Sequence, residues 1–348
     1  MRLPRVSLVI VTWNGLSLLQ RCLPSVMATD YENLEVILAD NASTDGTADW
    51  VAAAYPQVRI VRHPENWAFC RGNNEAVPHT TGRYVLLLNN DVAVPPGWLR
   101  PLVDAMEADP ALGAVQPKLL QHDDHTLFEY AGAAGGFLDQ LGYPFTRGRV
   151  FFTMESDRGQ YDAPRDIFWA TGAALMLRRT AIDEVGLLDE QFVLHMEEID
   201  LCWRLWRHGW RVRALPQSEV YHIGGASLPQ GTPQKAYYNF RNSLLMLYKN
   251  LPPSRWRRVF PQRLALDGLA AVRALAAGKP REAAAILRAY ADAHRLKDRY
   301  TAQRPPEGTP PPPFYRGRIV LDYFARGRQR FSDLPADRLP PGGEGVRV

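Results

Sequence analysis

Residues 84–92 read YVLLLNNDV, a run of apolar residues followed at once by Asn89, Asn90 and Asp91. The apolar run is typical of a buried β-strand, and the three polar side chains at its end need partners outside the hydrophobic core. Similar runs occur earlier in the chain, separated by segments with helical spacing of apolar residues: the runs are 6–13, 34–40 and 58–63, and the helical segments are 16–28, 47–55 and 69–77. Strands that alternate with helices predict an α/β fold with a mainly parallel central sheet flanked by helices.

Polar residues also close the earlier strands. Thr12 and Asn14 follow the first predicted strand, and Asp40 and Asn41 follow the second. In open α/β sheets, ligands bind beyond the carboxyl ends of the strands. We therefore expect these side chains to lie beside the polar residues of the fourth strand, at one ligand-binding edge.

The composition is that of an ordinary globular protein. The 348 residues, 46% hydrophobic and 22% charged, are enough for a large α/β domain with a smaller appendage. No apolar run approaches the roughly 20 residues that a membrane span needs, and the N-terminus lacks a small-residue cleavage site, so we expect a cytoplasmic protein. The 3 cysteines are widely spaced in apolar or helical segments, which indicates reduced core thiols.

The C-terminal part of the chain is basic. From residue 251 onward there are 19 Lys/Arg and 9 Asp/Glu, a surplus of +10, and the net charge of +4 leaves −6 for residues 1–250. A basic segment with interspersed apolar residues can lie on an anionic membrane or nucleic acid, and it can equally be a solvated helical face. Because no aromatic-interleaved motif accompanies the basic residues, we expect no nucleic-acid partner.

The middle of the chain has a less regular pattern. We predict a glycine-rich irregular region at 121–165, and further strands and helices on both sides of it. The predicted strands are 113–120, 174–179, 210–216 and 219–223, and the predicted helices are 98–109, 198–209, 235–251, 263–277 and 281–299. We divide the chain into a main domain at 1–250, a basic amphipathic helical extension at 251–303, and a Pro-rich linker with a basic tail at 304–348.

Three groups of residues carry candidate chemistry. Asp91 stands where a carboxylate could hold a hard cation, and His222 closes a later strand before two glycines, where a neutral imidazole could complete the same metal site. Glu197, Glu198 and Asp200 crowd the start of a predicted helix, where the helix dipole favours anions. Asp200 has Arg204 at i+4 and so has a structural explanation, whereas the two glutamates exceed what capping needs and suit a general base.

Seven segments of the chain occur in a familiar order: VSLVIVTWNG, VILADNASTDGT, NWAFCRGNNEA, LLLNNDV, TGAALMLRR, LDEQFVLHMEEIDLCWRLWRHG and VYHIGGAS. Together they resemble the family 2 glycosyltransferases with the GT-A fold, especially the bacterial rhamnosyltransferase-like branch, over residues 5–250. The resemblance implies a GT-A catalytic domain, a nucleotide-diphosphate-sugar donor, Mn²⁺ or Mg²⁺, and inversion at the anomeric carbon.

The resemblance also implies roles for individual residues. Glu198 would be the catalytic base, and Asp91 and His222 would bind the metal. Asp40 would contact the nucleobase of the donor. The nucleotide-sugar pocket would be lined by Thr12, Asn14, Asp40, Asn41, Asn66, Asn74, Asn89 and Asn90. Acceptor-binding candidates are Trp169, Thr171, Gly172 and Glu197; the first three can equally be an ordinary strand entry.

The chain departs from the family pattern at two of these positions. Asn89 stands where the family's Asp-x-Asp motif begins, which removes one negative charge from the metal site. Glu198 stands where the family usually has Asp, which adds one methylene of reach. The Gln-x-x-Arg-Trp motif of processive members is also absent, because Pro252 occupies the glutamine position before Arg255 and Trp256. This favours transfer of a single sugar.

The expected function is therefore an inverting transfer of one sugar from a UDP- or dTDP-linked donor. The acceptor would be a lipid-linked or polysaccharide hydroxyl at the inner face of the membrane, with peripheral contact between the basic extension and the membrane. Two alternatives stay open. One is a sugar nucleotidyltransferase, although TWNGLSLLQR lacks the glycine-rich, Lys/Arg-bearing loop of such enzymes. The other is an inactive nucleotide- or glycan-binding module.

Overall fold

The structure is a computed structural model, and it describes residues 3–224 and 231–342. Strands and helices alternate in the first third of the chain, as the sequence predicts. The strands are β1 Val6–Thr12, β2 Leu34–Asp40, β3 Arg59–Arg62, β4 Tyr84–Asn89, β5 Val92–Ala93, β6 Leu112–Gln121, β7 Gly136–Leu138, β8 Pro144–Thr146, β9 Arg149–Val150, β10 Thr153–Met154, β11 Arg165–Asp166, β12 Ala174–Arg178 and β13 Arg211–His222. The helices are α1 Leu16–Met27, α2 Thr47–Ala54, α3 Ala68–Ala76, α4 Leu99–Ala108, α5 Arg179–Val185, α6 Glu197–Arg207, α7 Pro233–Asn250, α8 Pro253–Ala276, α9 Pro280–Leu296 and α10 Ile319–Phe324.

Strands β4, β1, β2 and β3 form the parallel half of the central sheet. β1 pairs in parallel with both β2 and β4, and β2 pairs in parallel with β3. Alternate residues of β1 enter different cores, because successive side chains of a strand point to opposite faces. Leu8 and Ile10 pack in the core that includes α1 and α4, and Val9 packs in the core that includes α3. Helices thus cover both faces of the sheet.

The other half of the central sheet is mixed. Strands β6 and β13 pair in parallel, as predicted for the sheet, whereas β5, β11 and β12 pair antiparallel with their neighbours. The sheet order is β11-β13-β6-β12-β4-β1-β2-β3, and β12 is antiparallel to both of its neighbours. The two strands predicted at 210–216 and 219–223 are one strand, β13, with a register irregularity between Leu215 and Glu219. The continuous strand extends to His222, which pairs with Val92 of β5.

The glycine-rich region predicted as irregular contains a second, four-stranded sheet. Its order is β10-β9-β8-β7, and neighbouring strands are antiparallel. The strands have only two or three residues each, which is too short for a pattern of alternating residues to mark them in the sequence.

The helical extension joins the main domain through a buried polar network. Arg263 and Asp267, one turn apart on α8, form an ion pair with an N–O distance of 3.1 Å and both side chains buried. Arg263 also donates to the carbonyl oxygen of Leu141 at 2.9 Å, and Tyr143 donates to Asp267 at 2.5 Å. These contacts fix which side of α8 faces the body of the protein.

The predicted basic tail also packs on the main domain. The backbone N–H of Tyr315 donates to the carbonyl oxygen of Leu138 at 2.9 Å, and that of Ile319 donates to the Asp139 carboxylate at 3.0 Å. The Phe331 ring lies 5.0 Å from the Phe137 ring, measured between centroids, within the larger core. The segment after the Pro-rich linker is therefore part of the folded body, whereas the predicted domain boundaries stay predictions.

Two expectations concern other features of the chain. Cys22, Cys70 and Cys202 are buried, free thiols, in agreement with the sequence. Within the two ranges that the structure describes, no helix combines the length and the apolar character that crossing a bilayer requires.

Candidate active site

Three predicted pocket residues lie side by side at the carboxyl edge of the parallel strands. Thr12 at the end of β1 is paired in register with Asp40 at the end of β2. On the other side of β1, Val11 is paired with Asn89 at the end of β4. The parallel pairing brings the strand ends together, because each strand ends at the same edge of the sheet.

The loops after β1 and β2 are linked by polar side chains. The Asn14 carboxamide oxygen accepts from the backbone N–H of Thr44 at 2.8 Å, and Asp40 accepts from that of Ser43 at 3.3 Å. The Asn41 amide donates to Asn66 at 3.3 Å, so Asn66 does reach this edge. The carboxamide oxygen of Asn41 is buried and has no hydrogen-bond partner within residues 3–224 and 231–342. An unpaired buried acceptor suits a site that a ligand completes.

Asn90 is tied to the end of β1. Its amide donates to the Thr12 hydroxyl at 2.9 Å. Gly15 lies against both groups, since a Cβ there would come within 2.3 Å of the Thr12 hydroxyl and 2.6 Å of the Asn90 amide. Any larger residue at position 15 would push these two side chains apart.

Asp91 and His222 form a buried pair, and Glu129 joins them. The His222 Nε2 atom lies 3.0 Å from Asp91 Oδ1, and its Nδ1 atom lies 3.3 Å from Glu129 Oε2. The antiparallel pairing of β5 with β13 creates this contact, because it places His222 opposite Val92, directly after Asp91. Burial opposes protonation of His222, but the Glu129 and Asp91 carboxylates outweigh it and raise its pKa to about 10.

Sequence reasoning missed Glu129. It lies in the region predicted as irregular, and no strand or helix pattern marks it. Its carboxylate also accepts from the backbone N–H of Ala131, which holds it in place.

Glu197 and Glu198 begin helix α6 after a backbone turn with unusual dihedral angles. Val193, His195 and Met196 have φ values of 65°, 69° and 72°, a region that L-residues with side chains rarely adopt and that clusters at functional sites. Burial, together with the adjacent Glu198, raises the pKa of Glu197 well above its usual range, and burial raises that of Glu198 to about 7. One carboxylate oxygen of each glutamate is buried without a hydrogen-bond partner among the described residues.

Helix α7 holds this turn in place. The Asn242 amide donates to the carbonyl oxygens of Phe192, Leu194 and His195 at 2.9, 2.7 and 2.8 Å. Arg241 donates to the Phe192 carbonyl oxygen at 3.1 Å. Sequence reasoning missed both residues, because their partners lie almost fifty positions away in the chain. Arg241 and Asn242 therefore position Glu197 and Glu198 indirectly, by holding the backbone of the turn that precedes them.

Gly172 connects the acidic pair with the Asp91 edge. A Cβ on Gly172 would lie 3.9 Å from the Glu198 Cβ. The next residue, Ala173, accepts through its carbonyl oxygen from the backbone N–H of Asn89 at 3.0 Å. Glu198 and Asn89 therefore flank the same short segment. The two acids and the Asp91–His222 pair lie at one edge of the sheet.

Three residues predicted for the site have partners in the scaffold. The Trp169 indole N–H donates to the Phe137 carbonyl oxygen at 3.0 Å, and buried Thr171 has its side chain against Gly132. The Asn74 amide donates to the Leu188 carbonyl oxygen at 2.8 Å and accepts from the Leu188 N–H at 3.1 Å. Each of these three side chains contacts the scaffold, and the roles predicted for them in binding stay predictions.

Asp200 has the structural role that the sequence indicates. It is fully buried and accepts from Arg204 at 2.9 Å, Lys249 at 2.8 Å and Asn250 at 2.7 Å. Burial alone would disfavour its charge, but Lys249 and Arg204 lower the pKa of Asp200 below its usual range. The acid therefore joins α6 to α7 and is not available as a base.

Asp200→Ala is expected to lower the free energy of unfolding by about 3–5 kcal/mol, because it leaves buried cations without their partner. Denaturant unfolding measures the change. Asp104→Ala, which removes an exposed i,i+4 pair with Arg100, is the matched control and should cost less than about 1 kcal/mol. Equal losses in the two variants would contradict the structural role of Asp200.

Comparison of the sequence with known proteins identifies the family. The family described as "Glycosyl transferase family 2" matches residues 7–186, more than half of the 348-residue chain. The chain is 30% identical over 230 residues to the N-acetylglucosaminyl-diphospho-decaprenol L-rhamnosyltransferase of Mycobacterium tuberculosis. The matched region covers 62% of this chain and 74% of the relative. It is also 30% identical over 230 residues to the O-antigen biosynthesis protein RfbC of Myxococcus xanthus, covering 64% of this chain and 18% of that protein.

Solved structures agree on the fold. The chain is similar to GalNAc-T7, solved with UDP, GalNAc and Mn²⁺, with a TM-score of 0.58, 16% identity, and coverage of 90% of this chain and 59% of that one. It is also similar to the mannosyltransferase PcManGT of Pyrobaculum calidifontis, solved with GDP-Man and Mn²⁺, with a TM-score of 0.51, 20% identity, and coverage of 87% and 81%. At these identities the likeness concerns the fold, which is of the GT-A type. The chain belongs to glycosyl transferase family 2, and within that family it is similar to bacterial rhamnosyltransferases.

Proposed function

We propose that this glycosyltransferase moves a single sugar, with inversion, from a UDP- or dTDP-linked donor to a hydroxyl of a lipid-linked or polysaccharide acceptor. The observation that carries the proposal is the pair of buried, partly unpartnered carboxyls of Glu197 and Glu198 beside the edge that holds Asp91 and His222. The name of the mycobacterial relative, with its diphospho-decaprenol acceptor and rhamnosyl transfer, supports a lipid-linked acceptor.

Asp91 and His222 are the side chains that would hold a divalent cation, and within residues 3–224 and 231–342 no group of three or more His, Cys, Asp or Glu side chains is arranged as a metal site. Mg²⁺ prefers octahedral ligands at about 2.0–2.1 Å, which places adjacent ligand atoms about 3 Å apart. Asp91 Oδ1 and His222 Nε2 are hydrogen-bonded at 3.0 Å, so a cation bound by both side chains would replace the proton that lies between them. Glu129, against the other ring nitrogen, is the kind of outer carboxylate that orients a metal-binding histidine.

The reaction we propose is a direct displacement. Glu198 accepts the proton of the acceptor hydroxyl while that oxygen attacks the anomeric carbon and the bond to the nucleotide diphosphate breaks. A divalent cation held by Asp91 and His222 would supply charge stabilisation for the departing diphosphate. Thr12, Asp40, Asn41 and Asn90 bind the nucleotide sugar at the strand ends, and Glu197 and Gly172 contact the acceptor.

The activity is expected to fall as the pH decreases through about 7, because Glu198 must be ionised to accept a proton and burial raises its pKa to about 7. The dependence of kcat/KM on pH, measured with the cation and the acceptor at fixed concentrations, checks this. A glutamate with an ordinary pKa would keep the activity constant down to about pH 5. A flat profile between pH 5 and 8 would therefore contradict Glu198 as the base.

A screen of nucleotide sugars tests the proposed function. Thermal unfolding of the full chain, with and without Mn²⁺, should show stabilisation by a UDP- or dTDP-linked sugar only when the cation is present. Sugar release from that donor and transfer to a polyprenyl-diphosphate-linked sugar are then measured. Binding without turnover would instead favour an inactive binding module. Formation of a nucleotide sugar from a nucleoside triphosphate and a sugar phosphate would favour a nucleotidyltransferase.

A further inference from the structure

Helix α8 presents an apolar face to solvent. Leu264, Leu269, Val272 and Leu275 are 51%, 65%, 61% and 56% exposed. The residues that share this face are small or apolar and exposed as well: Pro261, Ala265, Gly268 and Ala276. Leucine and valine at helical spacing normally face a core, so an exposed face of this length marks an interaction surface.

The apolar face cannot be the intramolecular side of α8, because the opposite side already packs on the protein. The buried positions of α8 are Val259, Arg263, Asp267, Ala271 and Ala274. Ala271 and Ala274 contact Ala283 and Ile286 of α9 within a small core cluster. The buried network of Arg263 and Asp267 fixes the rotation of the helix, so the leucine face points away from the body.

Two exposed aromatic rings are linked to α8. Phe152 is 73% exposed and Phe324 is 51% exposed, and their ring centroids are 6.3 Å apart. The guanidinium of Arg273 on α8 lies 5.2 Å from the Phe152 ring centroid and 5.5 Å from that of Phe324. Aromatic rings and arginine together are typical of surfaces that enter the headgroup region of a bilayer.

The charge around the apolar face has one sign. Within residues 257–282, five exposed cations lie at or near its ends: Arg257, Arg258, Arg273, Lys279 and Arg281. The two acids of this range offset little of that charge at the surface, because Asp267 is buried with Arg263 and half-buried Glu282 lies 4.0 Å from Lys279. An anionic lipid surface complements such a rim.

We propose that the α8 face, with Phe152 and Phe324, docks the protein on an anionic lipid bilayer. The apolar side chains would enter the boundary between headgroups and acyl chains, and the five cations would contact lipid phosphates. A second copy of the chain fits less well, because a two-fold contact places the same surface on both partners and so opposes two sets of like charges. Docking of this kind is independent of the chemistry at Glu198, so either can fail without the other.

Vesicle co-sedimentation of the full chain tests the docking. The vesicles contain either phosphatidylcholine alone or an equal mixture of phosphatidylcholine and phosphatidylglycerol. The unchanged protein should bind the anionic vesicles at least about tenfold more tightly than it binds vesicles of phosphatidylcholine alone. This preference should fall as salt is added. Leu269→Glu with Val272→Glu should weaken binding at least about tenfold, since each change puts a charge in place of an apolar side chain that would enter the bilayer.

The matched control adds the same two charges elsewhere. Ala52 and Ala53 are exposed on α2, so Ala52→Glu with Ala53→Glu should bind vesicles as the unchanged protein does. Circular dichroism and thermal unfolding show whether the α8 variant is folded. If it is not, Arg257→Gln with Arg258→Gln, which leaves the apolar face intact, must lower binding to the anionic vesicles.

Three results would overturn the proposal. The first is no binding of the unchanged protein to anionic vesicles, and the second is equal binding by the folded α8 variant. The third is a dimer, seen by analytical ultracentrifugation, that the α8 variant abolishes while no vesicle binding is found. That result would assign the face to a second copy of the chain.

Discussion

Glu198→Gln is expected to lower turnover by at least about a hundredfold while the affinity for the donor stays close to that of the unchanged protein. The substitution keeps the size of the side chain and removes its capacity to accept a proton, and general-base assistance contributes typically 10²–10⁴-fold. Donor affinity should persist, because the proposed donor-binding residues Thr12, Asp40 and Asn89 lie at the strand ends and do not depend on the charge of Glu198. Initial-rate kinetics and calorimetric titration with the donor measure the two effects separately.

Glu75→Gln is the matched control for this prediction. Glu75 lies on α3 in an exposed pair with Arg71 at 3.8 Å, away from the acidic pair, so its turnover should not change. Glu197→Gln distinguishes the role of Glu197 from that of Glu198. We expect this change to raise the KM for the acceptor more than it lowers kcat. Near-normal turnover of Glu198→Gln, or a large loss in Glu75→Gln, would contradict the assignment of Glu198 as the base.

Asp91→Ala is expected to abolish the cation-dependent part of donor binding. The variant removes one of the two side chains proposed to hold the cation, and Mg²⁺ or Mn²⁺ bound by one or two carboxylates and the donor diphosphate has few protein ligands to spare. Titration with the nucleotide sugar in the presence of Mn²⁺, and again with a chelator, measures the difference. In the variant, the affinity for the nucleotide sugar should be the same with Mn²⁺ as with the chelator.

Glu129→Gln tests the outer part of the same site. It keeps the shape of the side chain but removes the carboxylate beside His222 Nδ1, so we expect cation affinity to fall by about 10–100-fold, less than for Asp91→Ala. Asp123→Ala, in an exposed loop with 79% of the side chain accessible, is the control and should leave cation affinity unchanged. Equal donor affinity with and without cation in the unchanged protein would reject the metal site.

Local sequence patterns were sufficient for the parallel half of the sheet. The runs at 6–13, 34–40 and 84–89 correspond to β1, β2 and β4 within one residue. Their apolar residues are buried on both faces, so the pattern of hydrophobicity and the physical requirement coincide. The polar residues after these strands could be placed at one edge for the same reason, since parallel strands end together. The order of seven motifs resembles family 2, and comparison with known proteins confirms the family.

Contacts between distant parts of the chain could not be predicted from local sequence patterns. Asp91 and His222 are 131 residues apart, and only the antiparallel pairing of β5 with β13 decides that they touch. Glu129 comes from a region without periodicity, and Asn242 acts on the turn before Glu197 from another helix. Trp169, Thr171 and Asn74 contact the scaffold through their side chains, and their roles in the site stay predictions.

The sequence by itself determined the strand–helix alternation, the polar strand ends and the acidic start of α6, because each depends on residues close together in the chain. The tertiary structure alone decided three other features: the Glu129–His222–Asp91 contact, the contact of Asp200 with Lys249 of α7, and the outward direction of the α8 leucines. The physical reason is that burial and pairing depend on which surfaces meet. An amphipathic pattern fixes the existence of an apolar face, whereas packing of the opposite face fixes where it points.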